Sequence, residues 1–88
     1  MVERRVRITN HLGLHARAAA KLVRLAAQFS SSITLRHGDA IADAASILDL
    51  LTLSAGFGAN VDIAVVGPDE VAALDEVEQL VRDGFGEL

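Results

Sequence analysis

The apolar residues of this chain switch between a period of two and a period near 3.6, and that switching limits the fold more than any other feature. Val2, Arg4, Val6 and Ile8 alternate with Glu3, Arg5, Arg7 and Thr9, a half-buried strand with Arg4 as its weak point. From Ala16 to Phe29 the spacing becomes helical. Ala19, Leu22, Val23 and Ala26 make the inward stripe, and Arg17, Lys21, Arg24 and Gln28 the outward one. Ser30-Ser31-Ser32 breaks that helix. Ile33 and Leu35 then alternate with Thr34 and Arg36, His37-Gly38-Asp39 makes a hairpin turn, and Ala40 to Asp43 is a short third strand. Ser46 to Leu53 reads as a short helix, followed by the loop Ala55 to Asn60 and a fourth strand through Val61, Ile63 and Val65. Pro68-Asp69-Glu70 opens the last helix, because proline is tolerated in a first turn and acids suit its positive end. Val71, Leu74, Val77 and Val81 give its inner face, and Gly84 ends it.

The resulting order, βαββαβα, predicts an α+β fold with four strands covered on one face by three helices. Ferredoxin-like modules share much of this order, so the order alone does not settle function. Residues 1–88 are expected to form one domain with a modest core. The chain has no cysteine, so neither disulfides nor thiolate metal sites contribute. Met1-Val2-Glu3-Arg4-Arg5 lacks the apolar stretch of a signal peptide, and no apolar run approaches the roughly 20 residues of a membrane span. A net charge of −4 argues against general nucleic-acid binding, and the absence of Tyr and Trp leaves base stacking poorly supplied. The charge is uneven: most arginines lie in the first half, and acids crowd the region from Asp69 to Glu87.

Gly13-Leu14-His15-Ala16-Arg17 is where chemistry is expected. It puts a histidine where a loop ends and a helix begins, with an arginine two residues later. A helix start offers unpaired N–H groups and the positive end of the macrodipole, and both attract phosphate. Histidine is a nucleophile that can be neutral near pH 7. Arg17 breaks the local rule that favours acids in a first turn, which a phosphate-facing arginine would do. The set predicts His15 as phosphoryl acceptor, with Arg17 and the backbone of Ala16 and Arg17 as the anion site. His11 lies four residues from His15, but there is no intervening HExxH glutamate and no third ligand, so no metal is expected. His11 and His37 read as solvated turn residues. Ser46 with Asp49 three residues on fits a capping box. Ile47, Leu48, Leu50, Leu51 and Leu53 surround most of the short helix, more than one sheet face can bury, so part of them should form an exposed patch for a partner.

Asn10-His11-Leu12-Gly13-Leu14-His15-Ala16-Arg17-Ala18-Ala19 resembles the active-centre signature of the HPr family, the histidine phosphocarriers of the sugar phosphotransferase system. Ser46-Ile47-Leu48 resembles the family's second landmark. One departure is clear: the family usually has proline after the arginine, and here it is Ala18. The resemblance implies an open-faced β-sandwich with an antiparallel sheet, monomeric and cytoplasmic, needing no cofactor. It implies that Nδ1 of His15 takes a phosphoryl group from Enzyme I and gives it to an EIIA domain, the partners supplying most of the catalytic machinery. It sets the short helix beside the His15 loop, so Ile47, Leu48 and Leu51 become docking residues, rimmed by Arg17, Ala20, Lys21 and Arg24. In some members the serine matching Ser46 is a regulatory phosphorylation site, which adds an HPr kinase/phosphorylase to the implied partners. A regulatory module of the nitrogen-related branch is the alternative, and a ferredoxin-like ligand-binding domain with an incidental His15 is a third reading.

Overall fold

A computed structural model describes all 88 residues. The elements run β1 (Val2–Arg7), α1 (Ala16–Ala26), β2 (Ser32–His37), β3 (Ala40–Asp43), α2 (Ile47–Leu51), β4 (Asn60–Val66) and α3 (Glu70–Arg82), followed by one 3-10 turn at Gly84–Gly86. The expected order is therefore the observed one. The strands form one sheet in the order β1-β4-β2-β3, with every neighbouring pair antiparallel. β4 enters between β1 and β2, so the chain leaves the edge strand β1 through α1 and returns to the sheet two places away.

Strand alternation sorts the two faces. Val6, Ile33, Leu35, Ala42, Val61, Ile63 and Val65 are buried beneath the helices. The other face stays open, and across it Arg5, Asp62 and Arg36 lie in register on β1, β4 and β2. Arg5 Nε donates to Asp62 Oδ1 at 2.9 Å and Arg36 donates to Oδ2 at 3.0 Å. These bonds hold the Asp62 carboxyl at a pKa of about 2, with the hydrogen bond from Arg5 the largest cause. Arg4, the break in the apolar pattern of β1, avoids the core because β1 is an edge strand. Its guanidinium reaches Glu78 of α3 at 2.6 Å.

The helices differ from the sequence reading in detail. α1 stops at Ala26, and its buried stripe is Ala18, Ala19 and Leu22, with Val23 and Ala26 only half-buried. On α3 the inner face is Ala73, Leu74, Val77 and Val81, while Val71 is exposed. At 3.6 residues per turn Val71 falls about a sixth of a turn beyond the edge of the stripe those four define. His37 belongs to β2 rather than to a solvated turn, and its Nδ1–H donates to the Leu53 carbonyl at 2.8 Å. Phe85 is wholly buried and closes the core beyond the end of α3.

A histidine at an uncapped helix start

The loop Asn10–Leu14 is locked before His15 is reached. Gly13 has φ +66°, and a Cβ there would lie 2.7 Å from the Ala55 carbonyl oxygen and 2.7 Å from Gly56 Cα. Only glycine fits so close an approach at a left-handed position. The Leu14 amide donates to the Ala55 carbonyl at 2.9 Å, and the Leu14 side chain is buried. The loop is thus moored to the segment after α2, and the next residue must emerge at the surface.

That residue is His15, the N-cap of α1, in extended conformation. Its carbonyl accepts from the Ala19 amide at 2.8 Å, but its ring makes no capping bond. The amides of Ala16 and Arg17 consequently have no acceptor within the protein. The first turn contains no acidic residue. The Arg17 side chain is exposed and pairs with no carboxylate. An open depression of about 410 Å³ lies here, lined by His11, Leu12, His15, Arg17 and Glu87. Free N–H groups, a helix dipole and an unpaired guanidinium around one imidazole make a place suited to an anion.

Glu87 is the member of this site that sequence reasoning missed. Its Oε2 lies 2.5 Å from His15 Nε2, across 72 positions of sequence. Its Oε1 accepts from Asn10 Nδ2 at 3.1 Å, and the same amide nitrogen donates to the Gly13 carbonyl at 2.7 Å. The hydrogen bond to His15, then that from Asn10, holds the Glu87 carboxyl below its ordinary range. Asn10 itself is fully buried. No local signal marks Glu87, which sits among other acids near the end of the sequence. The one available clue is Phe85 between two glycines, a large apolar residue in a turn sequence, which requires the chain to fold back onto the core.

The other predicted residues sort into two groups. Ser46 caps α2: its Oγ accepts from the Asp49 amide at 3.2 Å. The Asp49 carboxylate accepts from the Asp43 amide at 3.2 Å, so the return half of the expected box is made to Asp43 rather than to Ser46. Leu50 and Leu53 face the core, whereas Ile47 and Leu51 are 38% exposed and Leu48 is 77% exposed. α2 packs beside α1. Leu12 and Phe57 are also exposed, on the two loops that Gly13 holds together. Ala20 is half-buried and Arg24 is exposed. Lys21 is half-buried, and its Nζ donates to the Phe85 carbonyl at 2.7 Å. No cluster of three potential metal-binding side chains converges anywhere, and no helix is long and apolar enough to cross a membrane.

A four-stranded open-faced sandwich that carries a histidine at the uncapped start of its first helix defines a small histidine-presenting α+β module. The family model described as the PTS HPr component phosphorylation site matches residues 2–83, and the chain belongs to this family of phosphocarriers. It is 42% identical over 87 residues to the phosphocarrier protein HPr of Cupriavidus necator, covering 99% of this chain and 98% of that protein. It is 48% identical over 86 residues to the phosphocarrier protein NPr of Shewanella violacea, covering 98% and 94%. Among solved structures, HPr-C-His of Thermoanaerobacter tengcongensis superposes with a TM-score of 0.95 at 35% identity, covering 100% of this chain and 99% of that one.

Proposed function

We propose that this protein carries a phosphoryl group on His15, taking it from phospho-Enzyme I and passing it to a histidine of an EIIA domain. The observation that supports this reading is the uncapped start of α1: His15 beside the unpaired amides of Ala16 and Arg17 and the unpaired Arg17 guanidinium. In the transfer a lone pair on His15 attacks phosphorus, and the phosphorus–nitrogen bond to the donor imidazole breaks with its electrons returning to the donor. The phosphoryl oxygens keep their negative charge throughout, so positioned donors do most of the work. The resemblance makes Nδ1 the attacking atom, and the bond between Nε2 and Glu87 leaves Nδ1 free for it. The anion site is open to solvent rather than a closed cage, which suits a group that must be given away again.

Partners dock on Ile47, Leu48 and Leu51, with Ala20, Arg17 and Arg24 at the rim. Lys21 contributes there through its stem, since its ammonium is engaged by Phe85. Such a patch fits brief encounters, and the exposed arginines attract acidic partner surfaces. Residues 1–88 act as one domain, as a monomer in the cytoplasm, with no cofactor, metal, nucleic acid or membrane involved. Ser46 is first a helix cap. As a site for an HPr kinase/phosphorylase it would place a dianion beside Asp43 and Asp49, which is electrostatically costly.

The second reading is a regulatory module of the nitrogen-related branch, favoured by the 48% identity to a protein named NPr. Sugar uptake in a deletion strain separates the branches: it falls for a transport carrier and is unchanged for a regulatory one. The carrier chemistry itself is tested by intact mass after incubation with phosphoenolpyruvate and catalytic Enzyme I. One acid-labile phosphoryl group is expected on the wild type and none on His15→Ala. An unmodified wild type, with an Enzyme I proven active, would exclude the carrier reading.

A further inference from the structure

A groove of about 370 Å³ opens at the opposite end of α1 from His15, and it shares no lining residue with the His15 depression. α1 stops at Ala26, and Ser30-Ser31-Ser32 takes the chain into β2. Val23, Ala26 and Phe29 are left half-buried: they pack against the core and also line the groove. Its other walls are Ile33 of β2 and the connection from β3 to α2, at Asp43 and Ala45. Ala27 and Ala45 are exposed and too short to fill it.

The surroundings carry one sign of charge. Asp43 is the only charged residue that lines the groove, and its carboxylate pairs with no cation. Its Oδ1 accepts from the Ala45 amide at 2.9 Å, which leaves Oδ2 free. The hydroxyl of Ser31, a further lining residue, is bound to the Asp69 carboxylate, so a second negative charge stands behind the wall. The carbonyl end of α1 adds the negative pole of the helix dipole. Arg24, the basic residue of the last turn, does not line the groove. Phe29, its one aromatic residue, can add cation–π attraction.

We propose that this groove is a binding site for a small ammonium with an apolar body, an arylalkyl or branched-alkyl amine. The body packs on Val23, Ala26, Phe29 and Ile33, and the ammonium is held by Asp43. The volume falls at the lower end of the range for small-molecule sites, and apolar walls with one charged group are the composition such sites have. The site does not involve His15, and it stands whether or not His15 carries a phosphoryl group. The Asp43 amide donates to Asp49, and Ala45 precedes the Ser46 cap, so the ligand rests against the entry of α2.

The test is an amide chemical-shift titration at pH 7 and constant salt with three probes of similar shape: phenethylamine, phenethyl alcohol and phenylacetate. Phenethylamine should give saturable shifts confined to the end of α1, the start of β2 and the Asp43–Ala45 connection. The alcohol should bind more weakly, and the carboxylate more weakly still. Asp43→Asn keeps the acceptor for the Ala45 amide and removes the charge. It should weaken phenethylamine about threefold, the scale of an exposed ion pair, and leave the alcohol unchanged. Ala45→Leu and Ala27→Leu fill the groove from exposed positions, and each, confirmed folded by its thermal melt, should abolish the shifts. Shifts that do not saturate in the wild type, or that survive both leucine variants, overturn the site. Equal affinity for the amine and the alcohol overturns the assignment of a cation to it.

Discussion

The starts of α1 and α2 follow opposite rules. α2 is capped by Ser46, carries Asp49 in its first turn, and has Asp43 folded back over its entry. α1 has no side-chain cap, no acid in its first turn, and an arginine where an acid would stabilise it. Length accounts for what each tolerates. A five-residue helix cannot sustain itself, so α2 depends on its cap and on Leu50 in the core. α1 has eleven residues and a fully buried stripe of Ala18, Ala19 and Leu22, so packing holds it and its first turn stays open. A helix start left unsatisfied where packing permits it keeps its N–H donors free for an anion. The same chain closes the other start, where packing permits no such freedom.

The largest expected effect comes from making the first start resemble the second. Arg17→Glu should lower phosphoryl transfer to His15 about a hundredfold, the scale of losing a preorganised charge-stabilising donor. It should also raise Tm slightly, because an acid then meets the positive end of α1. Transfer kinetics and a thermal melt on one preparation check both signs. Next, Ser46→Ala should cost about 1 kcal/mol, or about 4–8 °C in Tm, and leave phosphoryl acceptance by His15 unchanged. A loss of acceptance would show that the two helix starts are coupled. Ala18→Pro is a smaller test. Ala18 lies in the first turn, where its amide has no acceptor, so the family's proline should fit and add about 0.4–1 kcal/mol. Destabilisation would mean that the fully buried Ala18 side chain leaves no room for the ring.

The smallest effect belongs to the open sheet face. Asp62 has its pKa lowered by Arg5 and Arg36 to about 2. A carboxyl depressed on folding stabilises above its unfolded pKa and loses that contribution as pH falls through the folded value. Asp62→Asn should therefore melt slightly below wild type at pH 7, and the gap should close as pH falls toward 2. Urea or thermal titration against pH reads this directly.

Much of this molecule was legible from local pattern. Strand alternation and helical spacing carried the βαββαβα order. Ser46 announced its cap, and the apolar residues all round α2 announced an exposed patch, which the structure places at Ile47, Leu48 and Leu51. The errors arose where neighbours rather than pattern decide. Val71 fits an i, i+3 spacing with Leu74, yet the buried stripe was set by Ala73, Val77 and Val81. His37 was expected in solvent, but the chain after α2 brings the Leu53 carbonyl to its ring. For Lys21, on the polar side of α1, the spacing gave no sign of the Phe85 carbonyl that its ammonium meets in the fold.

The sequence by itself determined the elements, their order and the presence of a histidine at a helix start, because these depend on residues within a few positions of one another. Tertiary structure alone decided what surrounds that histidine. Glu87 meets His15 only after the sheet, α3 and buried Phe85 have set the path of the last residues, and Asn10 finds Glu87 only when both loops are in place. Contacts across 72 positions carry no periodicity to read, since their specificity lies in the packing that brings the two ends together.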